Sequence, residues 1–276
     1  MSFPNVSVGN PVTMNRIDQK FKDLKAKNQK AFIAFITAGD PDLKTTQALV
    51  PALEKAGVDI IELGIPFSDP MADGATIQAA SERALKKGAT LSKILDSVKR
   101  IRQKTQIPIA FMTYYNPVFS FGEEKFIDAC KQAGVDGVII PDLPPEEASV
   151  LRKAAAKKGV ATVFFIAPTT TDARAKINAA AATGFIYYVS LTGVTGVKQA
   201  AADVVVKDIK RIKRFTSKPV CAGFGISTPQ QVKDIGRIAD GVIVGSAIIK
   251  AIENCKSKNI IPDVSRYVAS LVKALR

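Results

Sequence analysis

The sequence predicts an α/β protein built as a single (β/α)8 barrel (TIM barrel), and three observations lead to this expectation. Eight short apolar runs rich in Val, Ile and Phe recur along the 276 residues. An amphipathic segment rich in Ala and Lys follows each run, and most runs begin about 25 residues apart, the length of one βα unit. Near-continuous apolar strands are typical of a parallel sheet covered by helices, and eight of them favour a closed barrel over an open doubly wound sheet.

The elements follow one another without a linker or low-complexity tract. We therefore expect one barrel domain over residues 1–276, with residues 1–13 as a flexible N-terminal extension. A helix in MNRIDQKFKDLKAKN, with Ile17, Phe21 and Leu24 in register, precedes the first strand and should cap the bottom of the barrel. A short helix is expected after strand 8. The predicted strands lie in residues 31–39, 58–66, 107–115, 135–143, 160–168, 185–193, 219–227 and 240–248.

The composition excludes several classes of chemistry. The chain contains no histidine, which removes Ser-His-Asp and Cys-His mechanisms and imidazole metal sites. Any reaction must use Asp, Glu, Tyr, Lys or backbone donors. Cys130, Cys221 and Cys255 are odd in number and lack paired spacing, so we expect free or buried thiols and no metal site.

The net charge of +14 could suggest a nucleic-acid partner, but the basic residues lie at helical spacing between apolar ones. In VVVKDIKRIKRFTSK, Val206, Ile209, Ile212 and Phe215 recur every third residue, which indicates a solvated basic helix face. No apolar run approaches the roughly 18 residues of a membrane span, and the N-terminus lacks a basic segment followed by an apolar one. We expect a cytoplasmic protein that contacts neither nucleic acid nor membrane.

The stretch IIELGIPFSDPMADG contains the first candidate site residues. Alternation along strand 2 places Glu62 on the same side as Ile60, and if that side is the barrel interior, its carboxyl lies in an apolar setting that disfavours the charged form. The alternative is an ion pair with the helix layer. Asp69 and Asp73 lie in the long loop that follows, at the face where barrel enzymes bind substrate. Alternatively, Asp73 caps the next helix and Asp69 starts a turn.

Two glycine-containing turns predict an anion site. GFGIS follows strand 7, and Gly245 and Ser246 begin the helix after strand 8. Backbone N–H groups at such a helix N-terminus bind phosphate in many barrel enzymes. A third stretch, SLTGVTGVKQAA after strand 6, resembles a lid that could add Gly196 to the same site.

Taken together, the motifs ELGIPFSDPMADG, ITAGDPD, YYNPV, GVDGVIIPDLPPEE, TGVTG and GFGIS resemble the α subunit of tryptophan synthase, from about Met14 to the C-terminus. The resemblance implies cleavage of indole-3-glycerol phosphate to indole and glyceraldehyde 3-phosphate. Indole would then pass to a β subunit in an α2β2 complex, with pyridoxal phosphate bound only by that partner and no cofactor in this chain. The setting would be cytoplasmic, or the plastid stroma in a photosynthetic eukaryote.

The resemblance also implies roles for individual residues. Glu62 and Asp73 correspond to the catalytic carboxylates, and the substrate-binding positions are Tyr187, Thr195 and Phe224. The phosphate positions are Gly196, Gly225, Gly245 and Ser246, and the partner-facing positions are Asp69, Asn116, Pro117 and Asp142. Ala75 stands where many members have Pro.

Other barrel chemistries fit less well. An imine-forming aldolase needs a reactive lysine, and the eight runs contain none in their interior. Triosephosphate isomerase and the ribulose-phosphate epimerases need histidine. Two alternatives stay open: a stand-alone lyase that releases indole, and a weakly catalytic partner that mainly activates the β subunit.

Overall fold

The eight predicted strands form a closed parallel barrel in which each strand pairs with its neighbours in chain order and the last pairs with the first. The computed structural model describes residues 14–189, 200–223, 225–255 and 259–276. The expected extension over residues 1–13 lies outside this part. The prediction of a (β/α)8 barrel is confirmed. The strands are β1 Ala31–Thr37, β2 Ile60–Gly64, β3 Ile109–Met112, β4 Gly137–Ile139, β5 Ala161–Ile166, β6 Ile186–Tyr188, β7 Val220–Gly223 and β8 Gly241–Val244.

The strands are shorter than the apolar runs that predicted them, because the ends of each run form turns or the first turn of a helix. The run over residues 240–248, for example, contains β8 and then the start of a helix. The described helices are α1 Arg16–Ala26, α2 Leu43–Lys55, α3 Ala75–Lys86, α4 Leu91–Arg102, α5 Tyr115–Phe121, α6 Glu123–Ala133, α7 Ser149–Lys158, α8 Asp172–Ala181, α9 Ala200–Lys213, α10 Pro229–Gly236, α11 Ser246–Asn254 and α12 Ile260–Leu275.

Helix α1 closes the bottom of the barrel, as predicted. Ile17, Phe21 and Leu24 are buried in one cluster with the lower inward-facing side chains of the strands. The fit is close, since a Cβ on Gly137 would lie 2.9 Å from Ile17 Cδ1. Asn15 fixes the helix in place: its Oδ1 accepts from Ile17 N as the N-cap, and its Nδ2 donates to the carbonyls of Asp136 and Gly159, both at 2.7 Å.

Aspartates at the bottom rim link neighbouring strands. Asp59, Asp136 and Asp240 each directly precede a strand. Each accepts a hydrogen bond at 2.8 to 2.9 Å from a backbone N–H at the start of an adjacent strand, donated by Phe32, Ile109 and Val220 respectively. Each is also paired with a cation, namely Arg276, Arg102 and Lys213. The three carboxylates, of which Asp59 and Asp136 are buried, are therefore satisfied by donors on both sides.

Helix α9 confirms the solvated basic face but corrects its apolar face. Val205, Ile209 and Ile212 are buried, whereas Val206 is only half-buried. The spacing of 205, 209 and 212 follows the 3.6-residue period, while the every-third-residue spacing chosen from the sequence drifts around the helix. The exposed basic residues are Lys207, Lys210, Lys213 and Arg214.

We expect Asn15→Ala to lower the free energy of unfolding by ~2 kcal/mol, because it removes the N-cap and the two hydrogen bonds that Nδ2 donates to the carbonyls of Asp136 and Gly159. Asn15→Ser should lose less, since its hydroxyl can still cap the helix. Urea denaturation followed by circular dichroism measures both. A loss of stability equal in the two variants would contradict the bridging role of Nδ2.

Candidate active site

A cavity of about 600 Å³ opens at the C-terminal ends of the strands. This is the face on which barrel enzymes carry their active sites. Both candidate carboxylates, Glu62 and Asp73, line it. So do all four of the described positions predicted to bind substrate or phosphate: Tyr187, Gly225, Gly245 and Ser246. Thr195, Gly196 and Phe224 lie outside the described residues.

Glu62 points into the barrel and not into the helix layer, which rules out the ion-pair alternative. Its residue is only 1% exposed, and neither carboxyl oxygen has a hydrogen-bond partner among the described residues. Burial, followed by the nearby charge of Asp73, raises the pKa of Glu62 to about 8. The carboxyl is therefore mainly protonated at neutral pH and can both give and take a proton there.

Asp73 does not cap helix α3, so the capping alternative is wrong. The N-cap is Gly74, and no side chain makes a capping hydrogen bond. The Asp73 side chain instead lines the cavity. Burial raises its pKa, while a hydrogen bond from Tyr114 acts in the opposite direction by stabilising the charged form.

Tyr114 is a site residue that the sequence reasoning missed. Its hydroxyl accepts the N–H of Ala72 at 2.9 Å, so its own proton is free to be donated to Asp73. Its ring packs on Phe67 with centroids 5.5 Å apart, and burial raises its pKa to about 12. Tyr114 thus holds the segment after β2 at two points: its hydroxyl contacts Ala72 and its ring contacts Phe67. Tyr114 is the first residue of the YYNPV motif, of which only Asn116 and Pro117 were predicted to be functional.

Tyr187 and Phe165 form another part of the cavity wall, and their ring centroids are 4.8 Å apart. Burial, followed by the proximity of Glu62, raises the pKa of Tyr187 well above its usual value, so its hydroxyl remains a neutral donor. The hydroxyl lies close to β7: a Cβ on Gly223 would be 2.9 Å from it. Glycine at this position makes room for the tyrosine.

The apolar walls of the cavity were also missed from the sequence. Phe35, Met112, Phe165 and Ile243 all occupy inward positions near strand ends. The signal was present, because strand alternation places Phe35 and Ile243 on the same side as other inward residues two positions away. They give the cavity an apolar lining that suits an aromatic ring.

The described phosphate positions, Gly225, Gly245 and Ser246, line the cavity together. Helix α11 begins at Ser246, and its N-cap, Gly245, provides no capping side chain. Gly225, in the turn after β7, has a φ of 52°, a left-handed conformation that favours glycine. A helix N-terminus without a side-chain cap leaves amide donors for an anion, and the helix dipole adds to the attraction.

The predicted partner-facing residues lie around the outer edge of the same face. Asp69 and Asn116 are exposed, and Pro117 is half-buried on α5. The carboxylate of Asp142 accepts from Tyr115 N at 2.9 and 3.1 Å. Asp142 therefore has a local structural role at the start of α5 in addition to its exposed position.

Within the described ranges, no cluster of three or more Cys, Asp or Glu side chains is arranged to hold a metal ion. No helix in that part of the chain combines the length and hydropathy of a membrane span.

Comparison with known proteins finds relatives along nearly the whole chain. The family model described as tryptophan synthase alpha chain matches residues 21–274. The tryptophan synthase alpha chains of Geotalea daltonii and Geotalea uraniireducens are 51% and 50% identical over 258 residues, which cover 94% of this chain and 98% and 97% of those proteins. A crystal structure of tryptophan synthase subunit alpha from Legionella pneumophila superposes with a TM-score of 0.89 at 36% identity and covers 95% of this chain and 99% of that chain.

The burial of Glu62 leads to a test of stability. The unfolded carboxyl loses its proton near pH 4.5, whereas the folded one keeps it to about pH 8. Between these values the folded state binds more protons than the unfolded state, so the free energy of unfolding falls as pH rises. We expect Glu62→Gln to match the wild type near pH 4 and to be more stable by ~4 kcal/mol at pH 9. Denaturation at pH 4, 7 and 9 measures this.

Glu82→Gln is the matched control, because Glu82 is exposed on α3. It should show no such pH-dependent gain. A stability difference for Glu62→Gln that is the same at all three pH values would contradict a protonated Glu62.

Proposed function

Because the chain belongs to the tryptophan synthase alpha chain family, we propose that Glu62 and Asp73 are the acid–base pair of that family's reaction. The chain is a lyase of tryptophan biosynthesis that cleaves indole-3-glycerol phosphate to indole and glyceraldehyde 3-phosphate. The observation that supports the proposed pair is the buried, protonated Glu62 carboxyl, which has no hydrogen-bond partner among the described residues. It lies near Asp73 in an apolar cavity.

The reaction breaks the bond between C3 of the indole and the glycerol side chain. C3 must gain a proton, the ring N–H must be polarised, and the side-chain hydroxyl must lose its proton. Protonated Glu62 supplies the proton to C3. Asp73, whose charged form is stabilised by Tyr114, polarises the ring N–H by accepting a hydrogen bond from it.

The resulting Glu62 carboxylate then takes the hydroxyl proton. The carbon–carbon bond breaks, its electron pair returns to the indole ring, and the aldehyde forms. The net proton transfer is from the hydroxyl to C3, so Glu62 ends in its starting state.

The phosphate group of the substrate fits the N-terminus of α11, where Gly245, Ser246 and Gly225 lie together. Three further residues complete the site in this proposal. Gly196 donates a hydrogen bond to the phosphate, Thr195 orients Asp73, and Phe224 forms the edge of the indole pocket. Tyr187 and Phe165 form the wall against which the indole ring stacks.

A tryptophan synthase β subunit is the proposed partner, and Asp69, Asn116, Pro117 and Asp142 contribute to the contact. Exposed apolar side chains beside these residues support a docking face, since Met71 and Phe119 are 84% and 67% exposed. In this proposal the chain binds no cofactor of its own, and pyridoxal phosphate is held by the β subunit. We place the complex in the cytoplasm, or in the plastid stroma in a photosynthetic eukaryote.

The test is an assay of indole release from indole-3-glycerol phosphate, with and without a tryptophan synthase β subunit. We expect the β subunit to raise kcat, and Glu62→Gln and Asp73→Asn each to lower it by at least about a hundredfold, as is usual when positioned proton transfer is lost. Circular dichroism provides the control for folding. Near wild-type turnover in either variant would remove that residue from the mechanism. Full activity without the β subunit would indicate a stand-alone lyase.

For the phosphate site, we expect Ser246→Asp to raise KM strongly with a smaller effect on kcat, because it places a negative charge beside the substrate phosphate. Ser246→Asn, of similar size but neutral, is the matched control and should raise KM much less. Inorganic phosphate should compete with substrate in the wild type. An unchanged KM in Ser246→Asp would locate the phosphate elsewhere.

A further inference from the structure

A second, much smaller cavity adjoins Asp73 on the side of β1, β3 and α3. Its volume is about 10 Å³, and Asp73 lines both this cavity and the large one that opens to substrate. Four other polar residues line it: Thr37, Ser81, Thr113 and Tyr114. A space of this size holds about one water molecule, and the lining offers it the two to four polar partners that a buried water needs.

Thr37 is the unexplained residue of this group. It ends β1, two positions beyond Phe35, and alternation places both side chains on the inward face. The residue is 2% exposed, and its hydroxyl oxygen has no hydrogen-bond partner among the described residues. A buried hydroxyl without a partner is unfavourable, and valine would fill almost the same volume without this cost. The mechanism derived above does not use Thr37.

We propose that Thr37 is a positioning residue for Asp73 and acts through one water molecule bound in the small cavity. The Thr37 hydroxyl and the Asp73 carboxylate make no direct hydrogen bond, yet both border the same one-water space. A water there accepts a hydrogen bond from Thr37 and donates one to Asp73. The inference rests on the proposed function, because it assumes that the orientation of Asp73 matters to catalysis.

The arrangement holds Asp73 from two directions. Tyr114 donates to the carboxylate and also accepts the N–H of Ala72, which fixes the backbone next to Asp73. The water contributes a second donor from the side of β1. Two donors leave one carboxylate orientation favoured, with the remaining lone pairs directed towards the substrate cavity. Loss of either donor should therefore reduce the fraction of molecules with a competent Asp73 and lower kcat more than it raises KM.

The test compares Thr37→Val with Thr37→Ser in the full chain, assayed for indole release with and without the β subunit. We expect Thr37→Val to lower kcat about tenfold with KM nearly unchanged, as for the loss of one hydrogen bond to a charged group. Thr37→Ser retains the hydroxyl and should restore kcat to within about twofold of the wild type. Thr162→Val, at a buried threonine near the start of β5, is the matched control and should leave kcat unchanged.

Crystal structures of the wild type and Thr37→Val provide a readout that is independent of turnover. The wild type should contain an ordered water within hydrogen-bond distance of both Thr37 Oγ1 and the Asp73 carboxylate, and the variant should lack it. No bridging water in the wild type, or wild-type kcat in Thr37→Val while Asp73→Asn is impaired, would overturn the inference. Full turnover in Asp73→Asn would instead overturn the proposed function, whether or not the water is present.

Discussion

A carboxyl group buried without a hydrogen-bond partner among the described residues is the constraint on which the rest of this structure depends. Glu62 costs folding free energy whenever it is charged, so the fold keeps it protonated and away from water. The register of β2 between β1 and β3 fixes its height in the barrel, opposite Phe35 and Ala110. Helix α1 seals the bottom of the barrel, and the nearby charge of Asp73 adds to the effect of burial on the pKa of Glu62. Stability is given up at the position where the proposed reaction transfers a proton.

The walls of the cavity depend on glycines as much as on aromatic rings. A Cβ on Gly64 would lie 2.7 Å from the ring of Phe35, and one on Gly245 would lie 3.3 Å from its Cβ. Gly223 makes the same allowance for Tyr187. Gly245 therefore has two separate reasons to lack a side chain, because it admits Phe35 on one side and leaves backbone amides free for the proposed anion site on the other. The position of the Phe35 ring and the geometry of the proposed anion site thus both depend on the backbone at Gly245.

The sequence predicted the architecture well because apolar runs followed by amphipathic segments leave few alternatives to a closed barrel. It placed Glu62 on the same side of β2 as Ile60, but it left open whether that side faces the barrel interior or the helix layer. Tyr114 and Thr37 were not predicted, because their importance depends on which groups meet when β1, β3 and the segment after β2 come together, and no local spacing encodes that meeting. The choice of Val206 over Val205 failed for a simpler reason: a three-residue spacing departs from the helical period within two turns. Asp73 remained ambiguous between a cap and a site residue until the helix start at Ala75 was known.

The contacts of helix α1 have a consequence for the order of events on the ribosome. Asn15 bonds to carbonyls 121 and 144 residues further along the chain. The first partner, Asp136, is not synthesised until about half of the polypeptide has been made, and Gly159 follows later. During that interval Ile17, Phe21 and Leu24 can contact the first strands but not a closed barrel, so the nascent chain exposes the apolar face of this amphipathic helix. Until the barrel closes, this apolar face is accessible to chaperones that bind such segments and to neighbouring nascent chains on the same messenger.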